Sequence, residues 1–240
     1  VLNVKDNDGD TLEFEVTDFP DHGRVDGIIY DANSDYVEAY FPAGTEFGDE
    51  IDFASGGRRL TDFQFEVWSE FSTGTPKATF RIYSNDGVLI SDLVPGGATP
   101  KAGQKYPNTL LYESDPVDLT TGFQTVRIED INIDVTHRVT WTVAFSGLTG
   151  LSGSRASLLL AGDPSTGTTY DDFWEKRSGT WGLYNFGTLA SGNKSNYGAE
   201  VYAYDKGSMN VKYVPDSGYT GNDAFSYEVK DGNGGSDTAT

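Results

Sequence analysis

The chain has 240 residues, no Cys, one Met, 29 Gly and 37 Asp+Glu against 17 Lys+Arg, giving a formal net charge of −20. Hydrophobic residues at 37% and aromatics at 13% suffice for a core, which excludes intrinsic disorder, and the length suits one large or two small domains. An acidic excess of this size repels phosphate backbones and anionic lipid, so no nucleic-acid partner and no membrane insertion are expected, while the lack of Cys excludes disulfides, thiolate metal sites and a Cys nucleophile.

From the N-terminus, the acidic turn Asp6-Asn7-Asp8-Gly9-Asp10 leads into the alternating segment Leu12-Glu13-Phe14-Glu15-Val16. The same period-2 pattern returns at Phe63-Gln64-Phe65-Glu66-Val67, Phe80-Arg81-Ile82, Val126-Arg127-Ile128, Ile131 to Val135, Val139 to Phe145, and Val201-Tyr202-Ala203-Tyr204. Each reads as a strand with one buried face. Between them lie Asn85-Asp86-Gly87, Pro95-Gly96-Gly97, Ser191-Gly192-Asn193 and Asp231-Gly232-Asn233-Gly234-Gly235, all with turn chemistry; the first is read as a hairpin turn. No stretch carries a sustained 3.6-residue apolar stripe with caps, so the sequence predicts an all-β fold of sandwiches or jelly rolls. No apolar run reaches the ~20 residues that span a bilayer and no signal peptide opens the chain. The start at Val1 and the stop at Thr240, each inside a strand-like phrase, suggest a segment of something longer.

The two ends carry halves of one pattern. Asp6-Asn7-Asp8-Gly9-Asp10-Thr11-Leu12 and Pro20-Asp21-His22-Gly23-Arg24-Val25 open the chain, and Tyr213-Val214-Pro215, Gly218-Tyr219-Thr220-Gly221, Asp223, Phe225, Tyr227, Val229 and Asp231-Gly232-Asn233-Gly234-Gly235 close it. In this order they resemble the cadherin-like or bacterial immunoglobulin-like tandem repeats of large secreted surface proteins. In that family a short hairpin joins the two halves, whereas here most of the chain intervenes. The expected organisation is a small Ig/cadherin-like β-sandwich host, residues 1–27 and 207–240, split by an inserted β-sandwich of jelly-roll type, residues 28–206. Insertion at a loop tip leaves the host core intact if the guest's ends lie close together. The guest itself resembles jelly-roll modules of secreted proteins from environmental bacteria, through Ala43 to Ile51, Arg59 to Val67, Phe80 to Gly87 and Asp171-Asp172-Phe173-Trp174-Glu175.

Asp6, Asp8 and Asp10 are the leading metal candidates, because alternate carboxylates in a Gly-containing turn can converge on Ca²⁺. The loop is not an EF-hand: Gly9 stands at the fourth position and Thr17 at the twelfth. The resemblance implies that Asp231 and Asn233 join them near a module end; the alternative is a solvated polar turn. Asp49, Glu50 and Asp52 read as a solvated strand edge, with a second cation site as the alternative. His22 and His137 are isolated, no hydrolase motif appears, and Asp171, Asp172 and Glu175 are no closer together than so acidic a chain produces by chance. No enzyme is therefore expected.

Exposed aromatics with polar neighbours stack on sugar rings. Phe173, Trp174, Trp181, Tyr184 and Phe186 crowd one region and Tyr36, Tyr40 and Phe41 another, so a glycan site, if one exists, is expected at Trp174, Trp181, Tyr184, Asp171, Asp172 and Arg177. The preferred reading of Trp174 and Trp181 themselves is that they fill a core. The functional expectation is a non-enzymatic, calcium-binding structural or adhesion module of a secreted or cell-surface bacterial protein, with neighbouring repeat modules as partners. The alternative is a carbohydrate-binding module that recognises a polysaccharide through the inserted domain.

Overall fold

The computed structural model describes residues 9–33, 38–41, 44–54, 58–90, 95–148, 154–185, 196–206 and 213–240. Among them the regular elements are all strands, and no helix is long and apolar enough to cross a membrane. The chain opens with β1 (Glu13–Asp18), β2 (Gly23–Arg24) and β3 (Gly27–Asp31), followed by β4 (Glu38–Tyr40), β5 (Glu46–Asp52), the long β6 (Arg58–Glu70) and β7 (Lys77–Ser84). It continues through β8 (Leu110–Glu113), β9 (Val117–Asp118), β10 (Gly122–Ile128), β11 (Ile133–Val135), β12 (Arg138–Ser146) and β13 (Arg155–Ala161). The last third holds β14 (Thr168–Thr169), β15 (Phe173–Arg177), β16 (Thr180–Tyr184), β17 (Asn196–Tyr197), β18 (Ala199–Tyr204), β19 (Val214–Pro215), β20 (Ser226–Lys230) and β21 (Ser236–Ala239).

Two eight-stranded sheets dominate. One runs β17-β13-β6-β18-β3, with β10 and β11 also on β6 and β4 on β13; the other runs β16-β15-β5-β12-β7-β8, with β14 on β5 and β9 on β7. Alternation along β6 sends Leu60, Phe63, Phe65 and Val67 into the core, where they meet Phe80, Ile82, Val139, Trp141 and Val143 of the second sheet. Phe63 lies 4.6 Å from Phe80 and 5.1 Å from Trp141, ring centroid to centroid, a separation at which tilted aromatic pairs attract beyond the area they bury.

The remaining strands form a three-stranded sheet β1-β20-β21 and a two-stranded one, β19-β2. Their core is small: Phe14, Val16 and Val25 close on Tyr204, with Phe19, Phe225 and Tyr227 at its margin. Tyr204 ends β18 and so belongs to the large sheet. Its hydroxyl accepts the Val16 N–H at 3.1 Å, and its ring stands edge-on to Phe14 at 5.9 Å. Gly27 and Ala203 are directly paired across β3 and β18, so the chain enters and leaves the large sheet at adjacent positions.

Two expectations are corrected. Asn85-Asp86-Gly87 does not close a hairpin; it starts a long connection from Ser84 to Leu110 that folds over the outer face of the second sheet, where Ile90, Ala98 and Tyr106 pack on Trp174 and Leu183. Asp49, Glu50 and Asp52 do not form a solvated edge either: β5 is an interior strand between β12 and β15, and Asp49 and Glu50 are fully buried.

Removing the Tyr204 hydroxyl leaves the buried Val16 N–H without its partner, so Tyr204→Phe is expected to lower stability by about 1–3 kcal/mol in denaturant unfolding.

Candidate functional site

The motif-bearing loops of the two chain ends interlock through Asp223. Its Oδ1 accepts the backbone N–H of Asp21 at 3.1 Å, and its Oδ2 accepts that of His22 at 3.0 Å and the Tyr213 hydroxyl at 2.9 Å. Desolvation works to raise this carboxyl, but the hydrogen bonds from Tyr213, His22, Ala224 and Asp21 outweigh it and hold it below the ordinary range. Tyr213, desolvated and facing that carboxylate, is pushed up to about 12. His22 stacks on Tyr219 at 4.2 Å, a structural turn role. Gly23 is needed for close approach, since a Cβ there would meet the Tyr213 ring at 2.3 Å.

Of the expected calcium ligands, Asp6 and Asp8 lie outside the described residues, so only Asp10, Asp231 and Asn233 are placed. Asp231 organises its own turn. Its Oδ1 accepts the N–H groups of Asn233 at 2.7 Å and Gly235 at 2.9 Å, which lowers its pKa and closes the turn between β20 and β21, where Gly232 takes a φ of 75°. Among the described residues no three His, Cys, Asp or Glu side chains are grouped to hold a metal ion.

The expected glycan set is not a platform. Trp174 is fully buried and donates its Nε1–H to Glu50 Oε2 at 3.1 Å. Trp181 packs edge-on against it at 6.4 Å and carries the Lys176 ammonium 4.9 Å above its ring. The face of Tyr184 is covered by the Arg177 guanidinium at 4.2 Å, itself bonded to Glu175. Asp171 is exposed, whereas Asp172 is buried and accepts from Gln104. The physical reason is the Ser84 to Leu110 connection, which covers this outer face and turns its aromatics into core.

Beneath that connection lies a buried carboxylate pair. Gln104 Nε2 donates to Glu50 Oε2 at 3.0 Å and to Asp172 Oδ1 at 3.3 Å, and Arg138 Nε stands 3.6 Å from Glu50 Oε1. Burial raises Glu50 to about 7 and Asp172 to about 6. On the opposite side of β5, burial and the neighbouring Asp172 charge raise Asp49 well above the usual range. Glu175 holds separate partners, Gly44 N and Arg177, so Asp171, Asp172 and Glu175 do not form an acid-base pair.

An open cleft of about 360 Å³ lies where the small sheets meet the outer face of β6. Asp62 Oδ2 accepts from Arg24 at 2.6 Å and from Arg127 at 2.7 Å, while Arg24 also bonds Asp26 at 2.8 Å. The Arg24 guanidinium lies 3.7 Å from the centroid of Tyr202. Asp130 and Asn132 line the cleft with φ of 57° and 49°, a left-handed conformation that Asp and Asn tolerate better than other side-chain-bearing residues. Asp62 carries no signal in the sequence because its partners Arg24, Arg127 and Asp130 lie 38, 65 and 68 positions away.

Residues 183–240 match a family described as bacterial Ig domain; comparison with curated proteins and with solved structures returned no match. The matched stretch spans β17 and β18 of the large sheet as well as β19 to β21. Such domains are in general non-enzymatic structural modules and typically occur in surface proteins.

Because Asp231 closes its own turn through two backbone N–H groups, Asp231→Ala is expected to lower the melting midpoint in calcium-free buffer containing EDTA. A second expectation concerns pH. The folded chain keeps protons on Glu50 and Asp172 that the unfolded chain releases, so the stability from this pair is full below the ordinary carboxylate range and is lost as pH rises through about 6 and about 7. Glu50→Gln is expected to gain melting temperature relative to the parent as pH is raised from about 4.5 to about 7.5.

Proposed function

We propose that this chain is a structural and adhesive module of a bacterial surface protein: an Ig-like sandwich, residues 1–27 and 207–240, interrupted by a larger inserted sandwich, residues 28–206, that it holds out to one side. Further repeat modules are its natural neighbours. The observation that carries the reading is the pairing of β1 with β20, sealed by the Lys230 to Glu15 ion pair at 2.8 Å between residues 215 positions apart. The family match at residues 183–240 supports it from the sequence side. So does the composition of the large core, which draws its buried residues from Ile29 through Ala203. Asp223, taken up by the Asp21 and His22 N–H groups and by Tyr213, ties the motif-bearing loops of the two ends together.

Expressed alone, residues 28–206 should unfold cooperatively with the near-ultraviolet circular dichroism of packed tryptophans. A molten 28–206 fragment would overturn the inserted-domain organisation.

A further inference from the structure

We infer that the outer face of the sheet built on β6 binds a neutral polysaccharide chain, lying along β6 from an aromatic platform at its C-terminal end to the cleft at Asp62. This goes beyond the structural reading, and its failure would leave the β1 to β20 pairing untouched. On β6 the odd-numbered residues Phe63, Phe65 and Val67 face the core, yet Trp68 lies on the opposite, polar side. On β10 the core-facing residues are Val126 and Ile128, yet Phe123 shares its side with Thr125 and Arg127. The register pairs these two out-of-phase aromatics directly, Phe123 with Trp68. Phe41 adds a third ring, edge-on to Trp68 at 5.7 Å.

Phe123 is 76% exposed and Phe41 37%. Large apolar rings held in water on the polar side of two neighbouring strands mark an interaction surface rather than a core. Arg155 sets the platform's edge, its guanidinium 4.7 Å from the Phe41 centroid and bonded to Glu70 at 3.1 Å.

From Trp68 the same side of the sheet runs past the exposed Thr125, whose hydroxyl is bonded to the buried Glu66 at 2.7 Å, to Gln64 opposite the exposed Arg127, and then to Asp62. Six residues of strand span about 20 Å, so rings stand at one end, a guanidinium stacked on Tyr202 at the other, and alternating acceptors and donors between. A protein-binding patch concentrates apolar area and sheds charge at its centre; here each ring is bordered by charged or amide groups, the pattern that suits sugar rings with one apolar face and a rim of hydroxyls. The net charge of −20 repels acidic polymers, which leaves uncharged glycans as the occupant.

The test is affinity electrophoresis of the full chain through gels containing β-glucan, mannan or xylan as neutral probes and alginate as the acidic one. Retardation is expected in at least one neutral gel and not in alginate. Phe123→Ala should weaken that binding roughly fivefold to tenfold with an unchanged melting midpoint, and Arg127→Ala should weaken it too. Val88→Ala, which changes a side chain 74% exposed on the connection over the other sheet, should bind as the parent does. Migration unaffected by every neutral gel overturns the inference, as does retardation by alginate alone or equal binding by Phe123→Ala.

Discussion

The adjacency of Gly27 and Ala203 in the large sheet is the constraint on which the small sandwich depends. Paired residues on antiparallel strands stand about 4.5–5.5 Å apart, so the whole intervening chain delivers its two ends to one place. For an unstructured connection the entropy of bringing β1 to β20 would be drawn from the small core alone, and closure cost grows with the logarithm of loop length. A folded β3 to β18 pairing removes most of that cost in advance. Tyr204 completes the arrangement, as it leaves the same β18 and roofs the core made by Phe14, Val16 and Val25. Stability of the small sandwich is therefore coupled to order in the large one, through one hydroxyl and one ring.

The acidic excess has different physical fates in different places. Asp223 and Asp231 are held in their ionised range by backbone N–H groups, and by the Tyr213 hydroxyl at Asp223, which gives each polar loop a single shape. Glu50, Asp172 and Asp49 are buried and shifted towards their neutral forms, so they add little to the field outside. Asp62 and Asp52 are offset by arginines, Arg138 holding Asp52 at 2.5 Å. What remains is distributed over outward-facing positions, where it favours solubility and disfavours anionic partners.

The all-β class and many of the strands were legible in period-2 alternation, because a half-buried strand writes its two faces into alternate residues. Residues such as Phe63, Phe65, Val67, Val139, Trp141 and Val143 went into the core that this pattern predicts. The turn chemistry of Asp231 to Gly235 was legible as a turn, and the structure adds that its carboxylate accepts the Asn233 and Gly235 N–H groups. Trp174 and the partly buried Trp181 pack as the core reading expects, but the segment that covers them is a Gly- and Pro-bearing connection with no periodicity to reveal where it lies. Asp49 and Glu50 misled for a related reason: adjacent charges on a strand imply solvent only if the strand has an open side, and the position of β5 within its sheet is a tertiary fact. Trp68 and Phe123 carried a usable signal, an aromatic out of phase with its own strand, but its meaning depended on the register that sets them side by side.

The order of the three-stranded sheet has a mechanical consequence. Glu13 pairs with Lys230, which pairs with Ser236, while Val16 pairs with Tyr227, which pairs with Ala239; Glu13 and Ala239 thus sit at opposite ends of the sheet. Tension between them runs along the strands and across hydrogen bonds that lie perpendicular to them, so the ladder is loaded in shear and its bonds resist together instead of opening one after another. The chain between β1 and β20, the large sandwich with it, lies within the span that this ladder bridges, so it takes up tension only after the three strands part.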